Sequence, residues 1–206
     1  MRKIDKGEPL PSFTDFVRKH HPANWEDAKD VSRTWRQYIL EVEQHHLSGY
    51  IEEHITLDSS HIDHFCKQSL FNALIFEWSN FIVDSTNETY GAKYKDNFVK
   101  TQADNEKLIN PTTEDASRFF KYEVNGKIAI ADGLSEAEKE RAIYTRDAFN
   151  LNEGSLVERR RVLMNIILDS YSELDDKDVL EALAAEGFTS VVEQLLRERK
   201  QQEEYL

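Results

Sequence analysis

Between Trp25 and His46 apolar side chains recur every three to four residues, at Val31, Trp35, Tyr38, Ile39 and Val42. That spacing predicts an amphipathic helix of about five turns with Trp35 and Ile39 on its core face. Ahead of it, residues 1–11 read as an extended arm with Arg and Lys early and Pro9 and Pro11 at its end. Residues 13–20 read as a short helix with Ser12 as N-cap, Asp15 in a box-like position and Pro22 as terminator. Beyond Gly49, residues 50–56 read as a strand, in which Glu52, Glu53 and His54 fit an acidic end facing solvent better than a metal site. The tetrad His61-Ile62-Asp63-His64 reads as a second strand, whose alternation sends His61 and Asp63 to one face and Ile62 and His64 to the other. Leu70, Phe71, Leu74, Ile75 and Phe76 form an apolar cluster expected to pack beneath it. Residues 78–85 are predicted to begin a helix, and residues 91–111 to form a polar loop where flexibility is most expected.

In the second half, residues 119–124 and 127–131 flank Asn125-Gly126, the signal for a hairpin with a type I′ turn. Ser135 and Glu138 make a capping box for a helix running to about Phe149. After a break at Asn152-Glu153-Gly154, a second helix starts at Ser155 with Leu156, Leu163, Ile167, Tyr171 and Leu174 as its buried stripe. Two shorter helices follow, one carrying Val179, Leu180 and Leu183 and one carrying Val191, Val192, Leu195 and Leu196. They are predicted to be capped by Asp176 and Thr189 and parted at Gly187. A charged tail over residues 197–204 ends the chain, and such an apolar stripe with a charged tail suits partner docking as well as core closure. The predicted class is α+β and mainly helical. Three regions are expected: an N-terminal arm with helices (1–47), a core with its following hairpin (48–132) and a C-terminal helical region (133–206).

Charge changes this picture. The 206 residues hold 26 Lys and Arg against 39 Asp and Glu, a formal net charge of −13. Phosphate contacts normally come from a basic surface, so this balance argues against a chain that holds nucleic acid unaided. Either basic residues cluster, as Lys93, Lys95, Lys100 and Lys107 do along the sequence, or another subunit supplies the grip. A single Cys excludes an intramolecular disulfide and fits a reducing compartment. No apolar run approaches the ~18 residues of a membrane span, and the first six residues lack the apolar stretch of a signal peptide. The expected setting is cytoplasmic, with no membrane contact.

Candidate chemistry concentrates between Ser59 and Lys93. The Asp63 carboxylate is a hard oxygen ligand suited to Mg²⁺ or Mn²⁺. The His64 imidazole, with an ordinary pKa near ~6.5, takes a proton from water at neutral pH. Together a cation and a base are the minimum for hydrolysing a phosphodiester. Asn80 and Asn87 offer amides to orient the base or complete a metal shell. The pairs His20-His21 and His45-His46 read as solvated helix ends, and Arg159-Arg160-Arg161 as a salt-bridged face that also suits phosphate.

These residues carry a resemblance. From Ser48 to Lys93 the chain resembles an HNH endonuclease, and more narrowly the PtuB type of Septu and retron-linked anti-phage systems. His61-Ile62-Asp63-His64-Phe65 matches a family core reading roughly HIEHF, and Trp78-Ser79-Asn80-Phe81 matches its W-x-N-L. Leu108-Ile109-Asn110-Pro111, Arg118-Phe119-Phe120-Lys121-Tyr122 and Asn125-Gly126-Lys127-Ile128 resemble the segment that follows. Phe149-Asn150-Leu151-Asn152, Leu156 and Arg159 to Arg161 resemble a later L-N-L-N…L…R element. The resemblance implies a ββα-metal core with His64 as general base, Asp63 as metal ligand and Asn80 positioning the His64 loop. It also implies Asn87 as second ligand, with Thr89 the competing residue at that place, and His61 as a secondary catalytic candidate. The implied cofactor is Mg²⁺ or Mn²⁺, and Lys93, Lys95, Arg159, Arg160 and Arg161 are the candidate grip on DNA or RNA. Implied partners are a PtuA-type ATPase and, in retron-linked versions, a reverse transcriptase with its RNA-DNA product. Where many relatives carry two C-x-x-C pairs for structural zinc, this chain has Ser48, Ile51, Ser85 and Glu88, so no zinc clip is expected. The alternatives are a catalytically inactive HNH-like scaffold that binds the ATPase and an unrelated helical interaction protein.

Overall fold

The computed structural model describes residues 1–170 and 174–203. In chain order the elements are α1 (Pro11–His20), α2 (Ser32–Tyr38), β1 (Ser60–His64), β2 (Phe81–Ser85), α3 (Gly91–Phe98), α4 (Gln102–Glu106), β3 (Phe120–Tyr122), β4 (Ile128–Ile130), α5 (Glu136–Ala148), α6 (Gly154–Ser170), α7 (Asp176–Leu183) and α8 (Thr189–Glu203). The chain is α+β and mainly helical, with two small antiparallel sheets among the described residues. No helix among the described residues is long and apolar enough to cross a membrane.

The strand holding His61-Ile62-Asp63-His64 forms as predicted, and its predicted partner does not. Residues 50–51 are a turn and residues 52–56 are irregular apart from one isolated bridge, Leu47 to His54. β1 pairs instead with β2, where a helix was predicted, in the register His61 to Asp84, Asp63 to Ile82 and His64 to Phe81. Phe81-Ile82-Val83 is a short continuous apolar run that periodicity assigns poorly. Its β-branched Ile82 and Val83, buried on both faces, favour the pleated state. The order β1, β2, α3 follows, because the predicted polar loop contains α3 and α4.

One face of this sheet, with Phe81 and Val83, packs on Phe13, Trp35, Ile39, Leu40 and Trp78. The other, with Ile82, joins a larger core reaching Met1, Ile4, Phe149, Leu163 and Leu195. The two cores therefore cut across the expected boundaries near 47 and 132, since the arm and the C-terminal helices share one core. Gln44, fully buried, closes the free edge of β2: Val83 N donates to its Oε1 at 2.8 Å and its Nε2 donates to Val83 O at 2.7 Å.

Several local expectations are corrected. The single helix over residues 25–46 is broken into a 3₁₀ turn at Trp25–Ala28, α2, and a π turn at Ile39–Glu43. The wider π turn carries Glu43 inward, where Trp78 Nε1 donates to it at 3.0 Å and Lys6 pairs with it. α1 has Pro11 at its first turn and no side-chain cap, so Ser12 is inside the helix. The helix after residue 174 is capped by Asp175, not Asp176, and Thr189 is the first residue of α8. In the β3–β4 hairpin only Gly126 of the Asn125-Gly126 pair has positive φ. Gly126 N donates to Glu123 O and Glu123 N to Lys127 O, so the loop has three residues rather than a type I′ pair. Of the predicted α6 stripe, Leu156, Leu163 and Ile167 are buried and Leu174 is exposed. Tyr171 of that stripe and Glu204 of the tail lie outside the described residues.

Candidate functional site

β1 is one edge of a two-stranded sheet, and a cavity of about 620 Å³ opens along it. His61, Ile62, Asp63 and His64 all line this cavity although they alternate in direction, because it wraps the edge of the strand rather than one face. Lys29, Arg33, Arg36, Lys67, Gln68 and Asp96 complete its polar wall. Arg36 Nη1 donates to Ser60 O at 2.7 Å, and its Nε is buried with no acceptor among the described residues.

His64 is held at both ring nitrogens. Nε2 lies 2.9 Å from the Ile75 carbonyl, which only accepts, so Nε2 carries a proton and Nδ1 holds the lone pair. Gln68 Nε2 donates to that Nδ1 at 3.0 Å. Trp25 and Phe81 meet the ring edge-on at 4.6 Å and 5.0 Å, leaving the residue 3% exposed. Burial holds its pKa below the ordinary histidine value, against the pull of the Ile75 hydrogen bond and the Asp63 charge. The imidazole is therefore neutral at pH 7 and able to accept a proton.

Asn80 fixes the loop that presents Ile75. Its Oδ1 accepts from Cys66 N at 2.7 Å, and its Nδ2 donates to Cys66 O at 3.1 Å and Leu74 O at 3.0 Å. With Phe65 N donating to Asn80 O at 3.0 Å, residues 65–80 close as a clasped loop. All these bonds are buried or half-buried, so each lost partner leaves a group that water satisfies poorly.

Asp63 faces the other way. Its Oδ2 accepts from Tyr50 Oη at 2.5 Å and pairs with Lys95 Nζ at 2.6 Å, with Lys95 fully buried. Burial pushes the carboxyl up, but the Lys95 ammonium and the bonds from Lys95 and Tyr50 outweigh it and hold the group below its usual range. α3 carries Lys95. Its start is secured by β2, since Asp84 Oδ2 accepts from Ala92 N at 2.7 Å while Ser48 Oγ donates to Oδ1. Lys67 Nζ donates to Asp96 O at 2.6 Å near the other end of α3, where a cation is favoured.

His61, Asp63 and His64 are thus brought to one cavity, with Asn80 behind it. Asn87 is not: its Oδ1 accepts from Thr89 N and Thr89 Oγ1 in a local turn, away from the cavity wall. A divalent ion held by Asp63 and Asn87 does not fit this arrangement, because the two are apart and one Asp63 oxygen is taken by an ammonium and a phenol. Of the four positions that the resemblance sets against zinc cysteines, Ser48 bonds Asp84, Ile51 is core, Ser85 Oγ accepts from Asn87 N at 3.2 Å, and exposed Glu88 pairs with Lys93.

Of the residues expected to grip phosphate, two are out of reach. Lys95 is buried in its ion pair, and Arg160 is 1% exposed, donating to Gly126 O and Leu151 O, so neither reaches a ligand. Arg159 pairs with Glu53 at 2.7 Å, Arg161 with Glu158 at 2.6 Å and half-buried Lys93 with Glu88 at 3.4 Å. Glu52 and Glu53, expected in solvent, are buried. Glu52 accepts from Ser190 N and Oγ, tying this region to α8. The cations that line the cavity were missed. Lys29, Arg33 and Arg36 recur at i, i+4 and i+7, a one-face basic stripe readable in the sequence. Compared with known proteins, the chain matches no family model and no curated protein.

Proposed function

We propose that this chain hydrolyses phosphodiester bonds of a nucleic-acid strand, with His64 as general base. The observation that carries this reading is the pinned, neutral imidazole on the wall of a cavity that four cations line, in a chain of net charge −13. With Gln68 displaced from His64 Nδ1, a water in its place gives its proton to Nδ1 and its oxygen bonds to phosphorus while the P–O bond to the departing strand end breaks; the leaving oxygen takes a proton from water, and the imidazolium gives its own back to solvent. The Nε2–H bond to Ile75 O steadies the imidazolium that forms. Lys29, Arg33, Arg36 and Lys67 hold the phosphate oxygens and offset the charge that builds on them. Asn80 keeps the Ile75 carbonyl in place.

The resemblance to PtuB-type HNH nucleases supports the same reading and adds a PtuA-type ATPase as the subunit that delivers the strand, with a reverse transcriptase and its RNA-DNA product in retron-linked versions. A divalent cofactor, Mg²⁺ or Mn²⁺, is the expectation from the Asp63 carboxylate as a hard oxygen ligand and from that resemblance. A second reading, a non-cutting scaffold, is favoured by the ammonium seated on Asp63 where the family places metal.

The test is cleavage of labelled DNA and RNA by the wild-type chain and by His64→Gln, each with and without partner. Gln keeps a donor toward Ile75 O and removes the base. A loss of about 10²-fold or more is expected; undiminished cleavage by the variant, or none by wild type in any setting, overturns the reading.

A further inference from the structure

The cation place at Asp63 is filled from within the chain. Lys95 Nζ lies 2.6 Å from Asp63 Oδ2, 3.0 Å from His64 O and 3.4 Å from Asp96 Oδ1. Two carboxylates and a carbonyl around one positive centre are the hard-oxygen set that a divalent ion takes. The side chain has no exposure, and its ammonium lies 6.0 Å from the centre of the Tyr50 ring. Asp63 and Asp96 both line the cavity, so the ammonium sits directly behind its wall. A dication on the same oxygens would meet a like charge at bonding range, and displacing Lys95 would leave a buried carboxylate without its counter-ion.

We propose that Lys95 is a built-in cation that takes the place of a divalent metal beside Asp63, so that hydrolysis in the cavity proceeds without metal bound there, an inference that rests on the hydrolytic reading of the cavity. Lys95 touches no substrate. It is a positioning residue: it neutralises Asp63, holds the His64 carbonyl at the end of β1, and leaves the phosphate charge to Lys29, Arg33, Arg36 and Lys67.

The test uses Mn²⁺, a paramagnetic hard cation, and chain with isotope-labelled histidine. In the wild type, millimolar Mn²⁺ is expected to leave the imidazole signals of His61 and His64 unbroadened, and a chelator to leave cleavage unchanged. Lys95→Ala vacates the oxygen set, so Mn²⁺ should broaden those signals, and adding Asp63→Asn should abolish the effect. Broadening in the wild type that Asp63→Asn removes overturns the built-in cation whatever cleavage does. A folded Lys95→Ala that gains no Mn²⁺ response overturns it as well. Should Lys95→Ala fail to fold, the wild-type titration decides alone. A wild type that is silent to Mn²⁺ and cuts nothing would keep the cation seat and defeat the hydrolytic reading, so the two failures are told apart.

Discussion

His64 illustrates how much one residue's role depends on what surrounds it. As a sequence position it is a base with little to do in packing, and its removal should spare the fold. In the structure it is 3% exposed between Trp25 and Phe81 and bonded at both nitrogens, so His64→Ala opens a cavity as well as removing a base. Its cost should be about 2 kcal/mol or more in unfolding free energy, in the range of large-to-small core changes, readable by urea denaturation. That is why the activity test uses Gln. Asn80 is the second instance. Asn80→Ala strips partners from Cys66 N, Cys66 O and Leu74 O at once. At roughly 1–3 kcal/mol for a buried group left unpaired, the change should destabilise by at least about 2 kcal/mol. It should also release the Ile75 carbonyl, so that the His64 imidazole titrates differently by NMR; an unmoved titration would show that Asn80 has no hold on the base. That His61, Asp63 and His64 share one place was legible, because they are neighbours on one strand; that Asn87 stays apart from them was not. What each one bonds was not, since Lys95 approaches Asp63 from 32 residues away in sequence.

At the scale of elements, the sequence read best where local bonds decide the outcome. The Ser135–Glu138 capping box stands, with Glu138 N donating to Ser135 Oγ and Ser135 N to Glu138 Oε2. It read worst where burial decides: residues 81–85 became a strand because both faces are covered, and residues 91–98 a helix because Asp84 supplies its first acceptor. That junction yields a prediction in pH. Asp84 is fully buried, and burial, outweighing the bonds from Ser48 and Ala92, raises its pKa from the ordinary 3.8 to about 7. The folded state therefore keeps a proton that the unfolded chain gives up above about pH 4, so this group's contribution to stability falls as pH rises toward 7 and is level beyond. The full swing is at most about 4 kcal/mol. Asp84→Asn should flatten the decline between about pH 4 and about pH 7 in denaturation midpoints; an unchanged decline would mean that the carboxyl is ionised throughout. Gly91 belongs to the same junction. It has φ +72° and a Cβ there would collide with Asp84, so Gly91→Ala should loosen the start of α3 and lower stability at every pH.

For the whole molecule the question is how a chain of net charge −13 would handle the polyanion proposed as its substrate. Its field opposes approach, so attraction has to be local, and the structure gathers Lys29, Arg33, Arg36 and Lys67 around one cavity; Lys29 and Arg33 pair there with the exposed carboxylates of Glu26 and Asp58 at 3.2 Å each, whereas Arg159 pairs with buried Glu53. Four phosphate contacts release few counterions. For a single strand the logarithm of affinity should fall against the logarithm of salt with a slope no steeper than about −3. The isolated chain should accordingly bind DNA and RNA weakly at physiological salt, and efficient cutting should need a partner that brings the strand to the cavity. Lys29→Glu with Arg33→Glu should weaken binding and flatten the slope by about two contacts' worth, with the fold intact because both side chains are exposed. Arg159→Glu with Arg161→Glu should change neither in proportion. If that second pair weakened binding as much as the first, the strand would lie along α6 and the cavity would lose its claim to the substrate. If the isolated chain bound and cut as well as any complex, the acidic surface would need a cause other than dependence on a partner.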